Sequence, residues 1–513
     1  RNVMQSAYQI QVAADVPDFN NPVWDSGKVL SDQSSNVEYK GKPLESRTCY
    51  YYRVQVWNGD SSQSGWSGPA SWETGLLKAE EWIADWITPD GGTDHSDGTS
   101  CPFIRNRFVI HHEVQKARIF VTALGLYELH LNGERVGDWL FTPGWTSYNK
   151  RLQYQTYHVT DLVQKGENVV GVILGNGWYK GYLGWEGKNN TYGDKRALLL
   201  QMHVTYKDGR EDIIPLDNTW KASCGPILMS EIYHGETYDA RKEENNWCLP
   251  GFDDTKWHKT MRINHAKDIL MAQQNVPVRK IEEIKPIGMI QTPKGKTIID
   301  FGQNMVGWVK FKVKGPRGSK VILKHAEVLD SDGELYADNI RKAGQTIEYI
   351  LKGTEEECFQ PHFTFQGFRY VLLEEYPDIP QVENFTGVVI HSDMAPTGKF
   401  ECSSQMINRL QHNIVWGQKG NFLDVPTDCP QRDERLGWTG DAQVFARTAC
   451  FNMNTALFFT KWLGDLKADQ LDDGIVPHVI PSVVQDALKS EFEITSACGW
   501  SDAAVIVPWT LYL

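Results

Sequence analysis

Ser403-Ser404-Gln-Met-Ile407-Asn-Arg-Leu410-Gln-His-Asn-Ile414 is where the hydrophobic period of this chain changes from two to about 3.6. Ile407, Leu410 and Ile414 fall at i, i+3 and i+7 on one predicted helical face, with Ser403 and Ser404 as candidate N-caps. Phe459, Leu463 and Leu466 repeat that spacing further on. Upstream the apolar residues alternate with period two. So abrupt a change marks a domain boundary near 396, and it predicts a multidomain chain of β-sandwiches followed by a helical domain.

Working back from the boundary, three β-rich blocks are expected. In residues 1–75, Tyr8, Ile10 and Val12 alternate with polar neighbours, and Tyr50, Tyr52, Val54 and Val56 do so again, with turn residues between. A small sandwich of the fibronectin type III kind suits this length and rhythm. In residues 76–255, Tyr127, Leu129 and Leu131 run into Asn132-Gly133, a strong hairpin signal, and residues 169–174 form an unbroken apolar strand. Asp208-Gly209 reads as a second hairpin turn, and residues 90–100 as a mobile loop rich in Gly and Asp. Residues 256–395 hold candidate strands at 297–300, 309–313, 321–324, 346–351 and 370–373.

Composition narrows the function. With 513 residues, three or four domains are expected at about 150 residues each. A net charge of −13 opposes nucleic-acid binding, which needs cationic surface to displace counterions. No run of 18 apolar residues exists, so no membrane span is expected. The 19 tryptophans are a heavy load, and besides filling cores they form flat platforms for sugar rings. The nine cysteines include no C-x-x-C pair, so buried free thiols are expected rather than a zinc ribbon. The chain opens at Arg1 with no apolar leader segment, as a processed or excised chain would, and a periplasmic or secreted location is slightly favoured over the cytoplasm.

The chemistry concentrates in Asp424-Val-Pro-Thr-Asp428-Cys-Pro-Gln-Arg432-Asp433-Glu434-Arg435-Leu-Gly-Trp438-Thr-Gly-Asp441. A solvated polar loop is the bland reading of such a cluster. Pro426, Pro430, Gly437 and Gly440 forbid a regular helix, however, and make it a shaped loop that leads into a helix near Thr439. Crowded carboxylates repel, which keeps one of them protonated near neutrality, and a tryptophan alongside excludes water. Arg432 and Arg435 could hold the other carboxylates ionised or bind hydroxyls through their forked donors. Glycoside hydrolysis needs a proton donor, a base and hydrogen-bonding groups around a sugar. Elsewhere, Gly175-Asn-Gly-Trp-Tyr-Lys-Gly181 reads as a β-domain turn and Asp330-Ser-Asp332-Gly333-Glu334 as a hairpin rather than a calcium loop.

The run from Asp428 to Asp441 resembles the signature of bacterial alpha-L-rhamnosidases, glycoside hydrolase family 78. Asp300-Phe-Gly-Gln-Asn-Met-Val-Gly-Trp308, Leu131-Asn-Gly-Glu-Arg-Val-Gly137, Gly175-Asn-Gly-Trp178, Gly235-Glu-Thr-Tyr-Asp-Ala-Arg241 and Gly499-Trp500-Ser-Asp502 resemble further family segments, in the family's order. The resemblance implies β-sandwich domains followed by the first helices of an (α/α)6 barrel, and an inverting release of terminal rhamnose. It places the general acid at Glu434 and substrate contacts at Asp428, Arg432, Asp433, Trp438, Asp441, Trp500 and Asp502. It implies no required cofactor. Calcium in the second β-block is a weak expectation, at Asn176 and Asp194. The implied partners are rhamnose-containing glycosides or polysaccharides, with oligomeric state left open. A barrel of twelve helices exceeds what residues 396–513 supply, so the base is expected outside this chain, and the chain alone is expected to be a poor catalyst. Glu491 and Glu493 match no family base segment. The alternatives are a noncatalytic carbohydrate-binding protein, or an inverting helical-barrel glycosidase for another sugar.

Overall fold

The computed structural model describes residues 4–60, 62–90, 100–215, 217, 219–484 and 496–513. Nearly all of the loop expected at 90–100, and both Glu491 and Glu493, lie outside the described residues. The chain forms two compact units, residues 1–83 and 84–513.

In the first unit, strands Gln5–Ala14 and Cys49–Asn58 pair antiparallel at the centre of a five-stranded sheet, with Tyr8 opposite Val56 and Val12 opposite Tyr52. The alternating set Tyr8, Ile10, Val12, Tyr52, Val54 and Val56 shares one face, as strand periodicity requires. That face lines a cavity of about 440 Å³ closed by residues 33–37.

The second unit begins with a large sandwich. Gly166–Gly175 lies between Pro102–Ile110 and Leu126–Leu131, which explains the unbroken apolar run at 169–174, since a central strand is buried on both faces. Val114–Leu124 pairs with Ala197–Tyr206 and Leu152–His158 on the other side, and His258–Ile263 joins the two halves. Asn132 and Gly133 take φ of 52° and 86°, the left-handed pair that a two-residue hairpin turn requires.

The next sheet has ten strands, and its order corrects the boundary expected at 255. Ile227–Glu231 and Gly235–Asp239 belong to it, Gly235–Asp239 pairing parallel with Thr346–Ile350, whereas His258–Ile263 and Leu270–Ala272 belong to the preceding sandwich. The chain crosses to the third block and returns before settling there at Val278. Local periodicity carries no sign of this, because an alternating strand fits either sheet equally. The expected strands at 297–300 and 309–313 are the two ends of one strand, Thr297–Val313, whose register breaks between Asp300 and Met305. Gly307, at φ 150°, follows the break; a Cβ there would stand 1.8 Å from the Val388 carbonyl oxygen.

Helices then follow: Gln405–Asn421, Thr439–Asn452, Ala456–Asp469 and Ala503–Tyr512. The face expected to be buried on the first helix is not. Ile407 and Leu410 are exposed, and Ile414 lines a cavity. The helix turns a different side to the third β-block: Trp416 packs on its core, Gly420 meets Val306, His412 bonds Gln303 (2.9 Å), and Lys419 pairs with Glu282 (2.5 Å). Phe458, Phe459, Trp462 and Leu466 of the third helix form the helical core with Phe422, the Phe422 and Phe458 rings stacked at 4.7 Å. All nine cysteines are free, but only Cys101, Cys248 and Cys429 are buried, and Cys358 and Cys498 are exposed. Among the described residues no helix is long and apolar enough to cross a membrane.

Candidate active site

The loop from Asp424 to Trp438 is fastened to the β-blocks near both of its ends. Asp424 (φ 66°) and Arg435 (φ 49°) are left-handed, and supports from the β-blocks fix both ends. Asp424 accepts hydrogen bonds from the Asn275 side chain (2.9 Å) and the Trp145 amide, and pairs with the buried Lys461 (3.3 Å). At the other end Arg435 donates to the carbonyls of Ile232 (3.0 Å), Phe365 (2.7 Å), Gln431 (2.9 Å) and Arg432 (3.1 Å). Its guanidinium also stands over the Tyr233 and Phe365 rings. Burial lowers its pKa to about 10. Arg435 is therefore a staple between loop and sheet, which corrects its reading as a partner for carboxylates or hydroxyls.

Glu434 is 8% exposed and receives donors only. Arg341 Nη2 (2.9 Å) and Arg432 Nη2 (3.0 Å) reach Oε2, Trp438 Nε1 (3.1 Å) reaches Oε1, and the Tyr233 hydroxyl donates to its carbonyl (2.6 Å). The Asp428 carboxylate, the Cys429 thiol and the Glu434 carboxylate lie within 4.8 Å of one another. Burial pushes the Asp428 carboxyl up to about 6, and the Glu434 charge adds to the effect, against the Leu436 amide that bonds Oδ1 (3.0 Å). Burial likewise raises Asp441, again reinforced by Glu434. This trio is poorly suited to a metal ion: two guanidinia already stand against Glu434, and burial holds the Cys429 thiol protonated.

Beside these carboxylates opens a cavity of about 560 Å³, the size of a small-ligand site, walled by Asp428, Gly440, Asp441, Phe445 and Trp500 among others. Trp500 is 38% exposed and abuts Gly440 so closely that a Cβ there would stand 2.9 Å from its Nε1. Trp438 is half-buried, and its ring stacks on Trp185 of the second β-block (6.2 Å, 10°). Asp433 turns away from the cavity and pairs with Arg341 (2.7 Å). Asp502 accepts from the Gly499 amide (3.1 Å) at the start of the last helix. Asn176 is buried and donates to Glu231 (2.6 Å), while Asp194 is exposed on a later loop. Sequence reasoning missed Arg341, Tyr233 and Trp185, which lie 93, 201 and 253 positions from the residues they meet and carry no local signal.

A helical unit borne on β-sandwiches, with Asp428, Asp441 and Trp500 but not Trp438 around a cavity of small-ligand size, defines the class of architecture to which this chain belongs. Four family models match in succession: the Rha78A-like N-terminal immunoglobulin domain over residues 1–78, the alpha-L-rhamnosidase N-terminal domain over 112–282, the bacterial alpha-L-rhamnosidase concanavalin-like domain over 290–391, and the bacterial alpha-L-rhamnosidase 6 hairpin glycosidase domain over 395–513. The chain belongs to the alpha-L-rhamnosidase family. An alpha-L-rhamnosidase of Formosa agariphila is 40% identical over 99% of this chain and 56% of its own length. The crystal structure of an Aspergillus terreus alpha-L-rhamnosidase superposes with a TM-score of 0.91 at 40% identity, over 100% of this chain and 58% of that one. The Streptomyces avermitilis alpha-L-rhamnosidase complexed with L-rhamnose gives a TM-score of 0.93 at 34% identity, over 99% and 65%. This chain thus spans 56–65% of the length of these relatives.

Proposed function

We propose that this protein hydrolyses rhamnosides, releasing terminal alpha-L-rhamnose with inversion by general acid/base catalysis. The observation that carries this reading is Glu434, fixed by Arg341, Arg432 and Trp438 beside a sugar-sized cavity whose wall includes Asp428 and Asp441. In the proposed step Glu434 gives its proton to the glycosidic oxygen, the C1–O bond breaks with its electron pair on that oxygen, and a water that loses a proton to a carboxylate base adds its oxygen to C1 from the opposite face. Asp428, Asp441 and Arg432 bind sugar hydroxyls, Trp438 and Trp500 wall the ring, Asp433 anchors the loop, and Asp502 supports the Trp500 segment. Proton transfer and water suffice, so no cofactor takes part, and calcium at Asn176 and Asp194 has no role in the step. Inversion also needs a carboxylate about 6.5–9.5 Å from the donor, on the water side of the sugar.

The test is a panel of chromogenic glycosides given to the full-length protein, with the first-formed anomer read by proton NMR. Release of rhamnose as the beta anomer is expected, and Glu434→Gln should lower turnover of an alkyl rhamnoside by roughly 100-fold or more. Binding without cleavage would make the protein a carbohydrate-binding module. Cleavage of a different glycoside would move the reading to another sugar. Near-normal turnover by Glu434→Gln would remove Glu434 from the role.

A further inference from the structure

Arg341 reaches the acid from a different part of the fold. It follows the short helical turn Asp338–Ile340 in the third β-block and takes φ 56°, ψ −114°, a conformation that residues with a Cβ rarely adopt. Such backbone persists where surrounding contacts over-determine it. Here the contacts are those of its guanidinium. Nε donates to Asp433 Oδ1 (2.7 Å), and Nη2 donates both to the Asp433 carbonyl (3.0 Å) and to Glu434 Oε2 (2.9 Å). The side chain is 38% exposed, so stability gained from these ion pairs is small and gives a weak reason for the strain.

A carboxylate offers about four lone-pair positions. Among the described residues, Oε2 of Glu434 accepts a hydrogen bond from Arg341 and stands in an ion pair with Arg432, while Oε1 receives the Trp438 N–H. We propose that Arg341 is a positioning residue for Glu434, turning the carboxyl so that Oε1 carries the proton to the leaving oxygen. The proposal rests on Glu434 being the acid. When the Oε1–H bond breaks and the proton joins the glycosidic oxygen, the charge left on Glu434 spreads onto Oε2, where two guanidinia already stand. The fork therefore sets the geometry before transfer and stabilises the carboxylate after it. The other charged and titratable groups around this carboxyl are Asp428, Cys429 and Asp433 on its own loop and Asp441 on the next helix, none of which donates to Oε2.

The experiment compares Arg341→Met and Arg341→Lys with the unsubstituted protein and Glu434→Gln, measuring kcat and KM on an alkyl rhamnoside and on a 2,4-dinitrophenyl rhamnoside. An alkyl leaving group needs the proton; dinitrophenolate leaves without it. Arg341→Met should lower kcat on the alkyl rhamnoside by about 10- to 100-fold, the scale of a misplaced catalytic group, and on the dinitrophenyl rhamnoside by less than about 3-fold, with KM little changed. Arg341→Lys should recover part of the loss, since it keeps the charge without the fork. Melting curves are to check that both variants fold, and the lysine variant carries the test if the methionine one does not. Equal losses on both substrates, or no loss on either, overturn the proposal while leaving Glu434 as the acid. Absence of rhamnose release by the full-length protein, or full activity of its Glu434→Gln variant, overturns the functional reading itself, and the role of Arg341 with it.

Discussion

Replacing Lys461 with Met should destabilise the unit formed by residues 84–513 by about 3 kcal/mol. Lys461 is fully buried; its Nζ donates to the Trp145 carbonyl and to Asp424 (3.3 Å), and lies 3.6 Å from Asp465 Oδ2. Methionine keeps most of the aliphatic volume, so packing changes little and the effect isolates the charge. What remains is two buried carboxylates without the cation between them. Breaking a buried pair from one side costs roughly 3–5 kcal/mol. The lower end applies here, because Asp424 keeps Asn275 (2.9 Å) and the Trp145 amide, and Asp465 keeps Arg151 (2.7 Å). The deficit should also depend on pH in a defined direction. Burial already raises the Asp465 carboxyl from 3.8 to about 6, with Lys461 and Arg151 opposing the shift. Its folded pKa exceeds its unfolded value, so its favourable contribution is present at low pH and is lost as pH rises through about 6. Removing Lys461 raises that carboxyl further, so at pH 5 the variant can relax by protonating Asp465. Urea denaturation at pH 7.5 and pH 5, with midpoint and slope fitted together, reads both effects. A deficit below about 1 kcal/mol at pH 7.5, or one that grows as the pH falls, would refute the reasoning.

Two further outcomes test the cavity. Asp428 accepts a sugar hydroxyl more strongly when ionised, and burial holds it near 6, so affinity for L-rhamnose by calorimetry should weaken as pH falls from 7.5 to 5; Asp428→Asn should flatten that dependence, and a flat profile in the unsubstituted protein would exclude the role. Gly440→Ala places a methyl group 2.9 Å from Trp500 Nε1, and because Trp500 is partly exposed it can swing aside at little cost in folding. L-rhamnose affinity should then fall by about 10-fold with the melting temperature nearly unchanged, the cost of losing one wall of the sugar site; unchanged affinity would take Trp500 out of it.

The sequence shows most clearly what is decided by near neighbours. The change of period at Ser403 locates the first helix, because a residue's alternation or 3.6-fold spacing depends only on residues within two turns. Asn132-Gly133 declares its hairpin because both positions need positive φ. Which side of an element is buried is decided elsewhere. Ile407 and Leu410 make a convincing core face, yet the helix presents Trp416 and Gly420 to the third β-block, since a contact with Val306 and an ion pair with Glu282 lie more than a hundred positions away or near it. The excursion of residues 227–239 into the third sheet is hidden for the same reason. Its anchor, buried Glu236 bonded to His362 (2.8 Å), joins positions 126 apart.

The candidate site divides along the same line. The loop from Asp424 to Asp441 spells out its chemistry locally: acids to hold and give protons, arginines to oppose them, a tryptophan to exclude water. It does not spell out its shape. Its own bonds, such as the Asp428 amide to the Leu436 carbonyl (3.0 Å), do not satisfy all of it, and a buried backbone polar group without a partner is costly. The partners come from the β-blocks: Tyr233 for the Glu434 carbonyl, the Ile232 and Phe365 carbonyls for Arg435, Asn275 and Trp145 for Asp424, and Ser392 for the Asp424 amide (2.9 Å). A catalytic carboxyl must be held within a fraction of an ångström of its working position, and side chains locked by a packed scaffold do this better than a free loop. The sheets around this loop therefore help to fix the position of Glu434, and substitutions in them at Tyr233 or Asn275 act on the same geometry as substitutions in the loop itself.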